Sequence, residues 1–105
     1  MAKRGIFEVV TPLGDRVILT RDRWREILRY KHPALAGHEG ALEECLRDPD
    51  IIRASVKDKS VHMYYRIASR GHLCAVVGGE DPAQRFIITA YFTTNVKAGT
   101  ELWKR

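Results

Sequence analysis

Imidazole, phenol and guanidinium groups recur at alternate positions of strand-like stretches in this sequence, and that combination can move protons around a phosphate. In residues 61–68 (VHMYYRIA) side chains alternate between the faces of a strand, so His62, Tyr64 and Arg66 share one face while Val61, Met63, Tyr65 and Ile67 share the other. Residues 85–94 divide likewise into Phe86, Ile88, Ala90 and Phe92 against Arg85, Ile87, Thr89, Tyr91 and Thr93; residues 51–56 set Ile52, Ala54 and Val56 against Arg53 and Ser55. Taking the apolar sets as core leaves a polar face of Arg53, Ser55, His62, Tyr64, Arg66, Arg85, Thr89 and Tyr91, with no carboxylate on it. This suits cleavage of RNA by its own 2′-hydroxyl, which needs a proton acceptor, a proton donor for the leaving oxygen and cations around the crowded phosphate. Aromatic rings can also hold unstacked bases, at about 1–3 kcal/mol per base. Hard divalent ions want clustered carboxylate oxygens, so a two-metal nuclease is disfavoured.

The elements that must position these groups follow from hydrophobic period and breakers. Residues 6–10 and 16–19 read as a hairpin closed by Thr11-Pro12-Leu13-Gly14-Asp15. Thr20 can cap a helix from Arg21, with Trp24, Ile27, Leu28 and Lys31 on one side and Arg21, Arg25 and Arg29 on another; it must stop near His32-Pro33. A second helix starts weakly at residues 37–40, runs through residues 41–46 with its glutamates outside, and ends at Asp48-Pro49. Strands are expected at 51–56, 61–68, 72–78 and 85–94, joined by hairpin-length spacers. The expected fold is one α+β domain over residues 1–105: an N-terminal hairpin, two helices, then a four-stranded antiparallel sheet with the helices on one face.

Composition bounds the function class. The 105 residues are 45% hydrophobic and 30% charged, the balance of one ordinary globular domain. The longest apolar run, residues 73–77, is far short of the roughly 20 residues of a membrane span, and residues 1–5 lack the apolar core of a secretory signal, so a cytoplasmic protein is expected. Cys45 and Cys74 have no CxxC neighbour and read as reduced, buried thiols, with no disulfide expected. His38, His62 and His72 have no HExxH, paired cysteines or close carboxylates around them, and no GxGxxG or Walker loop occurs, so neither a metal nor a nucleotide cofactor is expected. The net charge of +5 favours a polyanionic partner; because residues 32–53 hold five acids against two cations, a phosphate surface should be built from the ends of the chain.

The order of these features resembles a known family. The hairpin, Trp24-x-x-Ile27, His32-Pro33, the short helix closing in Asp48-Pro49-Asp50, the Tyr64-Tyr65-Arg66 strand, and Ile88-Thr89-Ala90-Tyr91 before Gly99-x-x-Leu102-Trp103 look like the phage-type branch of the barnase, EndoU, colicin and RelE-like (BECR) nuclease superfamily. Arg25 stands where that pattern has a second histidine, and Ala34 where it has an acid. The resemblance implies metal-independent RNA cleavage, often as a toxin, phage or effector module. It implies functional positions at His32, Tyr64, Arg66, Thr89 and Tyr91, and admits an antitoxin or immunity protein as partner. Arg25, Arg53, His62 and Arg85 are the further candidates for RNA contact.

Each candidate also has an ordinary role. His32 can complement the C-terminal end of the first helix, Arg66 can pair with a carboxylate such as Asp58, the tyrosines can pack, Thr89 can serve β propensity, and the Arg21, Arg25, Arg29 ridge can be a solvated face neutralised by Asp22 and Glu26. Three functions remain open: an RNA endonuclease with His32 or Tyr91 in proton transfer and Arg66 on the phosphate, a catalytically inactive RNA- or protein-binding domain of the same fold, and a toxin held by an antitoxin.

Overall fold

Residues 5–10 and 16–20 pair as an antiparallel hairpin, β1 (Gly5–Val10) and β2 (Arg16–Thr20), because their alternation gives each strand one apolar side. The Thr20 hydroxyl then accepts the Arg23 N–H at 3.1 Å and caps α1 (Arg21–Glu26). The helix widens into a π turn, Ile27–Lys31, closed by His32 N–H donating to Ile27 O at 2.7 Å. Pro33 offers no N–H to continue it and pushes His32 out of helical geometry, to φ −140°, ψ 73°. A short 3-10 turn (Pro33–Leu35) leads to α2 (Glu39–Arg47), and five strands follow: β3 (Ile51–Ser55), β4 (His62–Ala68), β5 (Gly71–Gly78), β6 (Arg85–Thr93) and β7 (Gly99–Lys104). The computed structural model describes residues 5–105; the basic start at residues 1–4, part of the stretch read above as no signal, lies outside them.

The strands form one mixed seven-stranded sheet in the order β1-β2-β6-β5-β4-β3-β7. This corrects the expected four-stranded antiparallel sheet at both ends. The N-terminal hairpin is not separate: β2 runs parallel to the start of β6, with Val17 opposite Arg85 and Ile18 opposite Phe86. Residues 99–104, not expected as a strand, pair with β3. Both additions satisfy backbone groups that a four-stranded sheet would leave open at its edges.

The main core lies between the helical segments and one face of the sheet. Trp24, Ile27, Leu35, Leu42, Cys45 and Leu46 pack on Val17, Leu19, Ile52, Tyr64, Leu73, Ala75, Val77, Ile87 and Ala90. A smaller cluster occupies the opposite face: Ile51, Met63, Tyr65 and Cys74, with Val76, Tyr91 and Val96 packed against it. The two cysteines are thus free, buried and on different faces. No helix among the described residues is long and apolar enough to cross a membrane.

The face assignment of β4 is reversed relative to expectation. Tyr64, fully buried, belongs to the helix-covered core, and alternation takes His62 and Arg66 to the same side; Met63 and Tyr65 turn to the other face. Both sets are apolar enough to be buried, because this part of the sheet carries a cluster on each face, so period two alone cannot say which set the helices cover.

Candidate functional site

The register divides the sequence-derived polar face in two. Arg53 lies opposite Met63 and Thr89 opposite Val76, which puts both with Ser55 and Tyr91 on the face away from the helices. His62, Tyr64, Arg66 and Arg85 lie on the helix-covered side and have internal partners. The Tyr64 hydroxyl donates to Thr11 Oγ1 at 3.0 Å, and burial pushes this phenol up to about 12. The Arg66 guanidinium donates to the Asp48 backbone carbonyl and lies 3.2 Å from its carboxylate, rather than near Asp58. Arg85, 5% exposed, donates to the carbonyls of Ser60 and Val77, and its Nη1 lies 3.7 Å from Asp15 Oδ2. His62 Nδ1 is also 3.7 Å from that oxygen, and burial, aided by the Arg85 charge and opposed by Asp15, lowers its pKa. The grouping of these four with Tyr91 therefore does not hold: they tie the hairpin turn and the end of α2 to the sheet. Arg25 is exposed on α1, 3.9 Å from Asp22.

His32 joins the other set. β2 pairs with β6 only at Arg85 and Phe86, so the edge of β6 beyond them has no strand partner among the described residues, and α1 packs near β6. The π turn carries His32 to that edge, where its ring centroid stands 5.6 Å from the Tyr91 ring at an interplanar angle of 39°. Burial first, and the adjacent Cys74 thiol second, push the Tyr91 phenol well above its ordinary value, so it keeps its proton.

The linker between β6 and β7 completes the arrangement with residues that sequence reading missed. Lys97 N–H donates to the Tyr65 hydroxyl at 3.1 Å, Arg53 Nη1 donates to the Lys97 carbonyl at 3.0 Å, and Lys97 Nζ comes within 5.8 Å of the Tyr91 ring centroid. Beside them opens a cleft of about 370 Å³ lined by Ser55, Val56, Lys57, Val61, Met63, Val76, Thr89, Tyr91, Lys97 and Ala98. Thr89 Oγ1 is buried there without a hydrogen-bond partner among the described residues. The lining has two lysines, two serine or threonine hydroxyls and a phenol but no carboxylate, the composition of an anion site. Nothing in the sequence singles out Lys97, a lone cation in a short linker; only the path of that linker across the sheet brings it to Tyr91.

Comparison of the chain with protein-family models, with curated proteins and with solved structures returns no significant match.

Proposed function

We propose that the chain is a metal-independent endoribonuclease of the BECR type that cleaves single-stranded RNA by transphosphorylation at the cleft beside His32 and Tyr91. The observation that carries this reading is the approach of the His32 imidazole to the Tyr91 ring, which borders a cleft lined by two lysines and no carboxylate. The His32 imidazole takes the proton of the ribose 2′-hydroxyl as the 2′-oxygen attacks phosphorus. The bond from phosphorus to the 5′-oxygen breaks, and Tyr91, which arrives with its proton, donates it to the leaving oxygen. The products are a 2′,3′-cyclic phosphate and a 5′-hydroxyl, and return of the imidazolium proton to the phenolate resets the pair. Lys97 and Lys57 offset the charge that accumulates on the phosphate, the role first given to Arg66, and the Thr89 hydroxyl can donate to a phosphate oxygen.

The test is incubation with single-stranded RNA in EDTA and analysis of the ends. Products ending in 2′,3′-cyclic phosphate, lost in His32→Ala, are expected. Intact RNA at high enzyme and low salt overturns the nuclease reading; RNA that is bound under those conditions but never cut selects the binding-only version of the same site.

A further inference from the structure

Tyr91 is followed on β6 by Phe92, which points to the helix side and is 42% exposed. Its ring meets His38, just ahead of α2, with centroids 5.2 Å apart and planes at 81°. His32 and His38 are the two ends of one connection, in which the 3-10 turn and Gly37, at φ 83°, redirect the chain. That connection sets one imidazole against each of two successive β6 rings, on opposite sides of a strand edge that has no strand partner among the described residues.

Phe92 also borders a groove of about 350 Å³ between the start of α2 and the β4–β5 turn, with Ser69, Arg70 and His72 at its rim. The volume falls within the size class of small-molecule sites. Arg70 is exposed and has no carboxylate partner among the described residues, whereas the one acid bordering the adjoining space, Glu44, comes from α2. An exposed aromatic ring with a cation at hand fits a flat, electron-rich ring joined to an anion. Tyr91 and Phe92 are neighbours along one strand but point to opposite faces, so an anion at the first and a ring at the second lie on either side of the β6 edge.

We propose that the Phe92–His38 groove is a nucleobase subsite, holding a base of the RNA whose phosphate is engaged at His32, Tyr91 and Lys97. This rests on the RNA reading above and adds to it a path: the RNA passes around the β6 edge outside the connection of residues 32–38, phosphate on one face and base on the other.

The probe is a short fluorescent single-stranded oligonucleotide with 2′-O-methyl riboses, which lacks the attacking hydroxyl and cannot be cut, compared with an abasic version of the same backbone. Binding is read by anisotropy for the native chain, Phe92→Leu, His38→Ala and Lys97→Ala, each checked for native circular dichroism and unfolding midpoint. Phe92→Leu keeps an apolar side chain but removes the ring, and weakens binding of the base-bearing probe about tenfold while leaving the abasic probe unaffected. Lys97→Ala weakens both probes. Equal affinity of native and Phe92→Leu chains for the base-bearing probe, with Lys97→Ala still weakened, overturns the base subsite and spares the RNA reading. Failure of the native chain to bind either probe at low salt overturns both. If Phe92→Leu does not fold, Phe92→Tyr, which keeps the ring, must bind like the native chain, and His38→Ala must lower affinity for the base-bearing probe alone; the opposite result overturns the proposal.

Discussion

Tyr64 and Tyr91 are both phenols raised by burial, yet they face different partners, and that difference sets what each substitution does. Tyr64 is enclosed in the helix-covered core with its hydroxyl on Thr11 Oγ1, which also accepts the Leu13 N–H, so Tyr64→Phe removes one hydrogen bond, costs about 1 kcal/mol in urea unfolding and, on the proposed nuclease reading, leaves cleavage per folded molecule unchanged. Tyr91 stands against His32 at the cationic cleft, so if the proposed nuclease reading holds, Tyr91→Phe should lower kcat about 10²- to 10⁴-fold with little change in the unfolding midpoint. Equal loss of activity in both variants would contradict the division of the two faces. His62 gives a prediction in pH. Its pKa in the folded chain lies below the ordinary imidazole value, so the unfolded chain binds the extra proton; its contribution is fully present above about pH 6.5 and is lost as pH falls through the folded value. The urea midpoint should therefore drop between about pH 7 and about pH 5, and His62→Asn should flatten that drop. The lowered carboxyls of Asp48, set chiefly by Arg105, and Asp58, set by Ser60, act in a more acidic window and do not obscure it.

The elements were mostly legible, because caps, prolines and period are local properties. Thr20, His32-Pro33 and Asp48-Pro49 end or begin helical segments as their chemistry dictates, and the expected central strands fall within a residue or two of the observed ones. What was not legible is which face of β4 is covered and which strands meet at a distance. His62 and Arg66 look like solvent-facing groups in sequence, but they end up beside Asp15 and Asp48, carboxylates contributed by a turn and a helix end far away along the chain. The β2–β6 and β3–β7 pairings join segments whose compatibility no local pattern records. Of the candidate site, His32, Tyr91, Thr89 and Arg53 were named from sequence; Lys97 and Lys57 were not, since loop cations carry no periodic signal. The β4–β5 turn makes a test at this scale. Gly71 sits at φ 138°, and a Cβ there would come within 2.4 Å of Thr93 O. Gly71→Ala should cost more than about 1 kcal/mol in urea unfolding, since an L side chain is strained at that φ and the β5–β6 register must shift to relieve the clash. A midpoint equal to that of the native chain would show that the turn is looser than this packing implies.

Across the molecule, a large share of the arginines is already paired with acids, and the excess positive charge sits on the unpaired cations. Arg16, Arg23, Arg25, Arg47, Arg66, Arg85 and Arg105 each lie within 4 Å of a carboxylate, whereas Lys57, Lys97 and Arg70, like Arg21, Arg29, Lys31, Arg53, Lys59 and Lys104, have no such partner among the described residues. The acids of residues 32–53 belong largely to α2 and the turn after it, on the helix side, so the cleft face is spared their repulsion and carries Glu101, opposite Arg53, as its nearby acid. Each phosphate neutralised by a cation steepens the dependence of log affinity on log salt by about 0.7 for single strands. Lys57→Ala combined with Lys97→Ala should therefore flatten the slope for a non-cleavable oligonucleotide by about 1.4. Arg25→Ala, on a guanidinium already beside Asp22 and remote from the cleft lining, should leave the slope where it was. The reverse order, with the α1 arginine dominating the salt dependence, would move the RNA path from the sheet face onto the helix ridge and remove His32, Tyr91 and Lys97 from the reacting phosphate.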